Sequence, residues 1–282
     1  MTVLTSLRGR WRPHSWIVPI GVGFFLLNLA ALIMSVLVNS FAVNWFGTWL
    51  PSAFTASWYG DAWTEFGLAE VLQVTLLVAL AVVGLALLLG VPAAYALARR
   101  DFAGKRAVTL LLLLPVLLPP ITYGIPLATV LYKFHLAGTM AGVIAANLVP
   151  ALPFVVLVMT PFIEQIDTDI ESAARMCGAG TRQVFTRVLI PLLIPGILAA
   201  GVLVLVRTVA MFELTFLVAG PDSQTLIVAL YSAAFTPGIR ASQAIDAMAV
   251  IYTLLSSTLL VLALMFVNPT QIVAQVKDVA PE

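Results

Sequence analysis

Six long stretches of this 282-residue chain carry no charged side chain: Ser15–Gly60, Val71–Ala98, Ala107–Tyr132, Phe134–Ile163, Val188–Val206 and Ala247–Val276. A helix needs about 20 such residues to cross the hydrocarbon core of a bilayer. Each run can therefore hold one span, and the chain is read as an all-α integral membrane protein with six transmembrane helices. The predicted spans are about 15–38, 71–97, 107–132, 141–162, 192–219 and 244–267, within a single transmembrane domain covering 1–282. Composition agrees, since 61% hydrophobic residues against 10% charged, with a mean hydropathy of +1.07, is too apolar for a water-soluble globule. Arg8, Arg10 and Arg12 before the first run look superficially like the start of a signal peptide. The run is longer than a signal core of about 7–15 residues and no small-x-small site closes it, so a retained first helix is expected.

The basic residues follow the connectors instead of forming a patch, which argues against nucleic acid as a partner. Alternate connectors hold eleven Lys and Arg against two, with Arg207 left inside a span. The positive-inside rule then places both termini and the connector Thr168–Pro191 in the cytoplasm. The single cysteine, Cys177, excludes an internal disulfide.

Thr168–Pro191 is the one polar, charged segment of appreciable length with helical signals. Thr168 and Glu171 have capping-box spacing, in which hydroxyl and carboxylate each satisfy a free backbone N–H at a helix start. Ala173, Ala174, Arg175 and Met176 favour helix, and Gly178 can take the left-handed conformation that ends one. Thr181 can cap a second short helix, which Pro191 interrupts where an apolar span begins. Two short helices joined by glycines are expected at the membrane surface.

Within the spans, Pro115, Pro119, Pro120 and Pro126 are too many for a straight third helix, and the carbonyls they free need protein or water nearby. Tyr123 and Thr122, beside Gly124, are the polar groups there, open to either a packing role or a place on a solute path. Arg207 and Glu213 lie in the fifth predicted span. A charge well inside the bilayer costs about 2.5–3.5 kcal/mol on insertion scales, so it faces a cavity or a partner. Six positions is about 600° around a helix, which leaves these two side chains away from ideal pairing. They can instead pair with other helices or a partner subunit, or face solute. Asp246 opens the last span. Thr225–Phe235 is apolar but too short to cross and suits a re-entrant or interfacial helix. Trp45, Trp49, Trp58, Tyr59 and Trp63 are read as an interfacial aromatic belt.

The motifs of chemistry are missing from the sequence. His14 and His135 have no partners at metal-ligand spacing, so no metal site is expected. No Gly-x-Ser-x-Gly elbow and no Gly-x-x-x-x-Gly-Lys-Ser/Thr phosphate loop occurs, which weighs against a hydrolase and against ATP hydrolysis by this chain.

Ser172-Ala173-Ala174, three residues, Gly178, nine residues, then Val188-Leu189-Ile190-Pro191 resembles the Glu-Ala-Ala signature of permease subunits of binding-protein-dependent ABC importers. The spacing is intact. Ser172 replaces the motif glutamate, with Glu171 one position earlier, and Val188 and Ile190 are conservative. The topology resembles the family over nearly the whole chain.

The resemblance implies a type I ABC importer permease fold of six helices with a cytoplasmic coupling helix between spans 4 and 5. It implies that Glu171, Ser172, Ala173, Ala174, Arg175, Gly178 and Pro191 belong to the segment that docks on a cytoplasmic ABC ATPase. The implied partners are an ATPase dimer carrying ATP and Mg, a second and different permease subunit, and an extracytoplasmic solute-binding protein. The implied location is the bacterial cytoplasmic (inner) membrane. This chain would bind no cofactor and catalyse nothing. The Phe54–Thr64 and Leu214–Gly220 regions look most like the polyamine, iron and phosphonate branch, with the sugar branch as nearest competitor. That implies a small polar solute of the polyamine, phosphonate, opine or iron class. Ala210-Met211 stand where polyamine permeases carry paired aspartates, so Arg207 hints at an anionic solute. Tyr123, Arg207, Glu213 and Asp246 are the solute-path candidates. An ion-driven carrier is the remaining alternative, and it would leave the docking segment without a purpose.

Overall fold

Each apolar run contains a helix in the computed structural model, which describes residues 16–43, 45, 48–236 and 241–266. By internal contacts the chain divides into two units, Met1–Ala62 with Ile239–Val250, and Trp63–Gly238 with Ile251–Glu282. Arg8, Arg10, Arg12, His14, Arg240 and Lys277, which entered the reading of the termini and the charge count, lie outside the described residues.

The smaller unit opens with α1 (Ile17–Asn39), apolar on every side and exposed almost to its end. Its last residues are the anchored ones. Asn39 Nδ2 donates to Asp246 Oδ2, the Ser40 hydroxyl meets Tyr59 Oη at 2.9 Å, and Trp58 Nε1 donates to the Ala42 carbonyl at 2.8 Å. An isolated antiparallel bridge pairs Ala42 with Phe54. The helix α2 (Ser57–Glu65) follows. The predicted aromatic belt is thus divided: Trp58 and Tyr59 brace the end of α1, whereas Trp49 is 98% exposed.

The larger unit is built on three helices in mutual contact, α3 (Leu68–Arg99), α6 (Met140–Glu164) and α9 (Ile190–Val209). Small residues let them approach closely, as expected where lipid supplies no hydrophobic drive between helices. A Cβ added at Gly90 of α3 would stand 2.7 Å from Val155 Cγ1 of α6, and one at Gly196 of α9 would stand 3.1 Å from the Phe162 ring. Val82, Ala86, Val156, Met159 and Val204 fill the centre.

Between α3 and α6 the sequence predicts one kinked span. The structure breaks it into α4 (Lys105–Leu117) and α5 (Pro120–Lys133), bent by 102°. The cause is the Pro119-Pro120 pair. Each proline forces its predecessor out of the α region, leaving Leu118 and Pro119 extended at ψ 142° and 133°. Five helices among the described residues are long and apolar enough to cross a bilayer, and the bent pair makes a sixth if it counts as one span.

After α6 come α7 (Thr168–Met176) and α8 (Thr181–Gln183). Contrary to expectation, α8 is not a separate short helix that Pro191 stops. It runs into α9 through a π-helical stretch, Val184–Leu189, in which the Ile190 N–H reaches back five residues to the Phe185 carbonyl. Pro191 sits in the first turn of α9, where its missing N–H costs little. The wide turn before it spares the clash a proline makes with the carbonyl four residues earlier.

The fifth span is also shorter than predicted. It ends at Val209, and α10 (Glu213–Val218) is a separate helix. The α11 helix (Leu226–Phe235) is too short to cross, as expected, and its first N–H is taken by Thr75 Oγ1 at 2.8 Å. The last span is α12 (Ser242–Phe266).

Gly142, in the first turn of α6, packs directly on the Leu136 carbonyl; a Cβ there would lie 2.1 Å from that oxygen. Because the obstacle is backbone, Gly142→Ala should cost about 1–3 kcal/mol. Gly84 of α3 faces open space, and Gly84→Ala should gain about 0.5–1 kcal/mol through helix propensity. Thermal unfolding of the two purified variants in detergent measures both, and the signs should be opposite.

Candidate functional site

The N-cap of α7 is Asp167, whose side chain accepts from the Asp169 N–H at 2.9 Å, so Thr168 is not the cap. With that task taken, Glu171 turns inward and is buried. Its Oε1 accepts from Arg99 Nε and its Oε2 from Tyr95 Oη, both at 2.8 Å, while Arg99 Nη2 donates to the Ile166 carbonyl. Arg99 and Tyr95 stand one turn apart at the end of α3, and the ion pair is nearly dry, with side-chain exposures of 12% and 8%. Tyr95 also meets the Phe185 ring of the π-helical stretch edge-on, at 5.4 Å between centroids.

Gly178, at φ +85°, ends α7 as expected. The next helix is capped by Gly180, whose N–H donates to Gln183 Oε1 at 3.0 Å, in place of Thr181. Ser172, Ala173, Arg175 and Gly178 are exposed, and the Ser172 hydroxyl bonds to the Thr168 carbonyl of its own helix. Ala174, Cys177, Gly178, Ala179, Gln183 and Arg187 border an open groove of about 440 Å³. This end of the larger unit thus offers a small-residue helix surface with a groove beside it, held from behind by a buried charge.

The intramembrane candidates fall into two places. Arg207 lies over the Phe154 ring of α6, 4.7 Å from its centroid, a cation–π arrangement. Asn147, Pro150, Phe154, Arg207, Thr208 and Met211 border a narrow cleft there. Tyr123 is within electrostatic reach of both Arg207 and Glu213. Its hydroxyl also donates, at 3.4 Å, to the Pro115 carbonyl, which Pro119 leaves without its helical donor. Glu213 opens α10, where its charge complements the helix dipole. The break after Val209 means that Arg207 and Glu213 do not share a helix, so the 600° separation does not apply. Asp246 belongs to the smaller unit and accepts from Asn39.

Three contributors escape the sequence reading. They are Arg99, Tyr95 and Asn147, none of which the sequence marks as a site residue. Asn147 is 2% exposed; its Nδ2 donates to the Val143 carbonyl at 2.9 Å and to Thr215 Oγ1 at 3.1 Å. Its Oδ1 is buried with no hydrogen-bond partner among the described residues. A lone amide in an apolar span is the signal that could have found it. No group of three or more His, Cys, Asp or Glu that could hold a metal occurs among the described residues.

Residues 86–272 match the family model described as binding-protein-dependent transport system inner membrane component. The chain is 32% identical over 122 residues to the trehalose transport system permease protein SugB of Mycobacterium tuberculosis, covering 43% of this chain and 44% of SugB. It is 31% identical over 178 residues to the molybdate/tungstate transport system permease protein WtpB of Thermococcus kodakarensis, covering 62% and 70%. The chain spans about half the length of the first curated relatives it matches. In structure it is similar to a chain of a bacterial ABC transporter involved in the import of the acidic polysaccharide alginate, with a TM-score of 0.67, 19% identity, and 95% and 98% of the two chains covered.

Removing the Glu171 carboxylate leaves Arg99 buried without its counter-charge, which costs about 3–5 kcal/mol. Glu171→Ala should therefore lower thermal stability markedly. Ser172→Ala, at an exposed neighbouring position, should stay within about 0.5 kcal/mol. Parallel unfolding scans of the two variants check the contrast.

Proposed function

The chain belongs to the family of binding-protein-dependent transport system inner membrane components and has the type I ABC importer permease fold, and from this premise we infer that it forms half of a solute translocation path driven by a cytoplasmic ATPase. The whole chain, 1–282, acts as one permease domain in the bacterial inner membrane with both termini in the cytoplasm. ATP and Mg are bound and turned over by the ATPase dimer. A second, different permease subunit completes the path, and an extracytoplasmic binding protein delivers the solute.

The observation that carries this reading is α7. Its exposed face is made of Ser172, Ala173 and Arg175, Gly178 turns the chain sharply after it, and a groove lies alongside. A short helix with a small-residue face suits helix-in-groove recognition, because a partner surface can approach the backbone closely. Ala173, Ala174, Arg175 and Gly178, with Glu171, Ser172 and Pro191 framing them, form the coupling segment.

The solute is a small polar molecule. The polyamine, phosphonate, opine or iron class follows from the likeness of Phe54–Thr64 and Leu214–Gly220 to that branch, and Arg207 over Phe154 favours an anionic member. A sugar is the second reading, favoured by the match to a trehalose permease. Tyr123, Arg207, Glu213 and Asp246 are the residues to probe for contact with solute.

Ala173→Glu places a charge on the docking face, and Gly178→Asp places a side chain at positive φ. Each should reduce ATP-dependent uptake by roughly tenfold or more, the effect of burying an unpaired charge at an interface. The amount of permease in the membrane should not change. If uptake and co-purification of the ATPase both survive the two changes, the docking role is wrong. Arg207→Gln should weaken uptake of an anionic solute and leave a neutral sugar untouched, which separates the two solute readings once the binding protein's ligand is identified.

A further inference from the structure

We propose that Tyr95 and Arg99 make α3 the direct recipient of motion applied to α7, through a clamp on the Glu171 carboxylate. The proposal rests on the reading of α7 as the ATPase docking helix and adds the route by which displacement leaves it.

Two covalent connections join α7 to the membrane helices, and α7 also packs directly on the π-helical stretch Val184–Leu189. One is the short turn back to α6. Another is the stretch Cys177–Gly180 toward α9, with a left-handed glycine at Gly178 and a second glycine at Gly180. That turn is itself bonded, the Ala179 N–H to the Ala174 carbonyl at 3.1 Å and the Gly180 N–H to Gln183 Oε1 at 3.0 Å. The clamp adds a connection that is not covalent. Both oxygens of Glu171 are held at 2.8 Å, one by the Arg99 guanidinium and the other by the Tyr95 hydroxyl. The same guanidinium grips the Ile166 carbonyl, in the turn that leads into α7. One side chain of α3 therefore fixes both the start of α7 and its middle.

Burial makes this clamp stiff. Water competes poorly for a nearly dry ion pair, and a charge-assisted hydrogen bond at this distance is among the stronger ones available. Tyr95 adds a second link, since its ring packs edge-on against Phe185 in the π-helical stretch that precedes α9. The end of α3 is thus the node at which α7 and the root of α9 meet. The clamp sits at one end of α3, which is 32 residues long and packs against α6 and α9. A push on α7 is delivered through the clamp to the longest helix among the described residues.

The test uses the assembled complex with its ATPase, with Cys177 replaced by Ser and a single cysteine placed at Ala69, an exposed position at the end of α3 away from the clamp. The readout is the change in thiol labelling rate when ATP is added, measured beside co-purification of the ATPase. The unclamped variants are Glu171→Gln and Tyr95→Phe; the latter keeps the ring against Phe185 and removes only the hydroxyl. With the clamp intact, ATP should change the labelling rate at position 69. Glu171→Gln should abolish that change and reduce uptake by roughly tenfold, the value of a lost charged hydrogen bond, while the ATPase still co-purifies. Tyr95→Phe should reduce the change partly, and exchanging the charges with Glu171→Arg and Arg99→Glu together should restore part of it. An ATP-driven labelling change of wild-type size in Glu171→Gln overturns the proposal. So does loss of ATPase co-purification in Tyr95→Phe, since the pair would then only shape the docking surface. If Ala173→Glu and Gly178→Asp both leave uptake and ATPase co-purification intact, the docking reading fails instead, and the two failures are told apart.

Discussion

Lipid tails are as apolar as leucine, so helices in a bilayer gain nothing by hiding apolar surface from one another and must be held by close van der Waals fit. The contact of α3, α6 and α9 meets that demand. Gly90 admits Val155 and Gly196 admits the Phe162 ring, each at a distance a larger residue could not tolerate. Several other elements of the larger unit are attached to this trio. Thr75 of α3 holds the first amide of α11, Asn147 of α6 holds Thr215 of α10, and Tyr95 and Arg99 of α3 hold α7. The attachments are polar because polar bonds are directional, and small in number because each buries groups that need full partnering.

The irregular points follow from the same setting. In hydrocarbon a proline's lost hydrogen bond cannot be made up by water, so the chain reorganises around it. Pro119 and Pro120 break one span in two and Tyr123 reaches toward the stranded Pro115 carbonyl. Pro191 is absorbed differently, by a π-helical stretch that keeps the helix continuous. Two prolines in a row cannot be absorbed that way, since both remove donors and both push their predecessors out of the helical region.

Helix positions were legible in the sequence because hydrophobic length is a one-dimensional property: the second and fourth spans became α3 and α6 within a few residues of the expected limits, whereas the fifth ends about ten residues early. Gly178 was legible because positive φ is tied to residue type. The direction of Glu171 was not. A carboxylate three residues after a threonine satisfies a local rule, but Asp167 already supplied the cap, and a distant arginine offered a buried partner. The burial of Arg99 was not legible for the matching reason: a basic residue at a helix end is usually solvated, and burial is decided by whatever folds against it. The break between Arg207 and Glu213 carries no proline or glycine to announce it.

The first helix is apolar on every side; Asn28, partway along it, returns its amide to the Phe24 carbonyl of the same helix. A cylinder of that kind has no preferred azimuth in lipid, since any rotation about its axis exposes the same kind of surface. Depth in the bilayer is set by its length, and angle is set only where the greasy surface ends, at Asn39 and Ser40, which meet Asp246 and Tyr59. It is a peg with a keyed tip, and the hydrogen bonds at positions 39 and 40 tell the whole helix which way it faces.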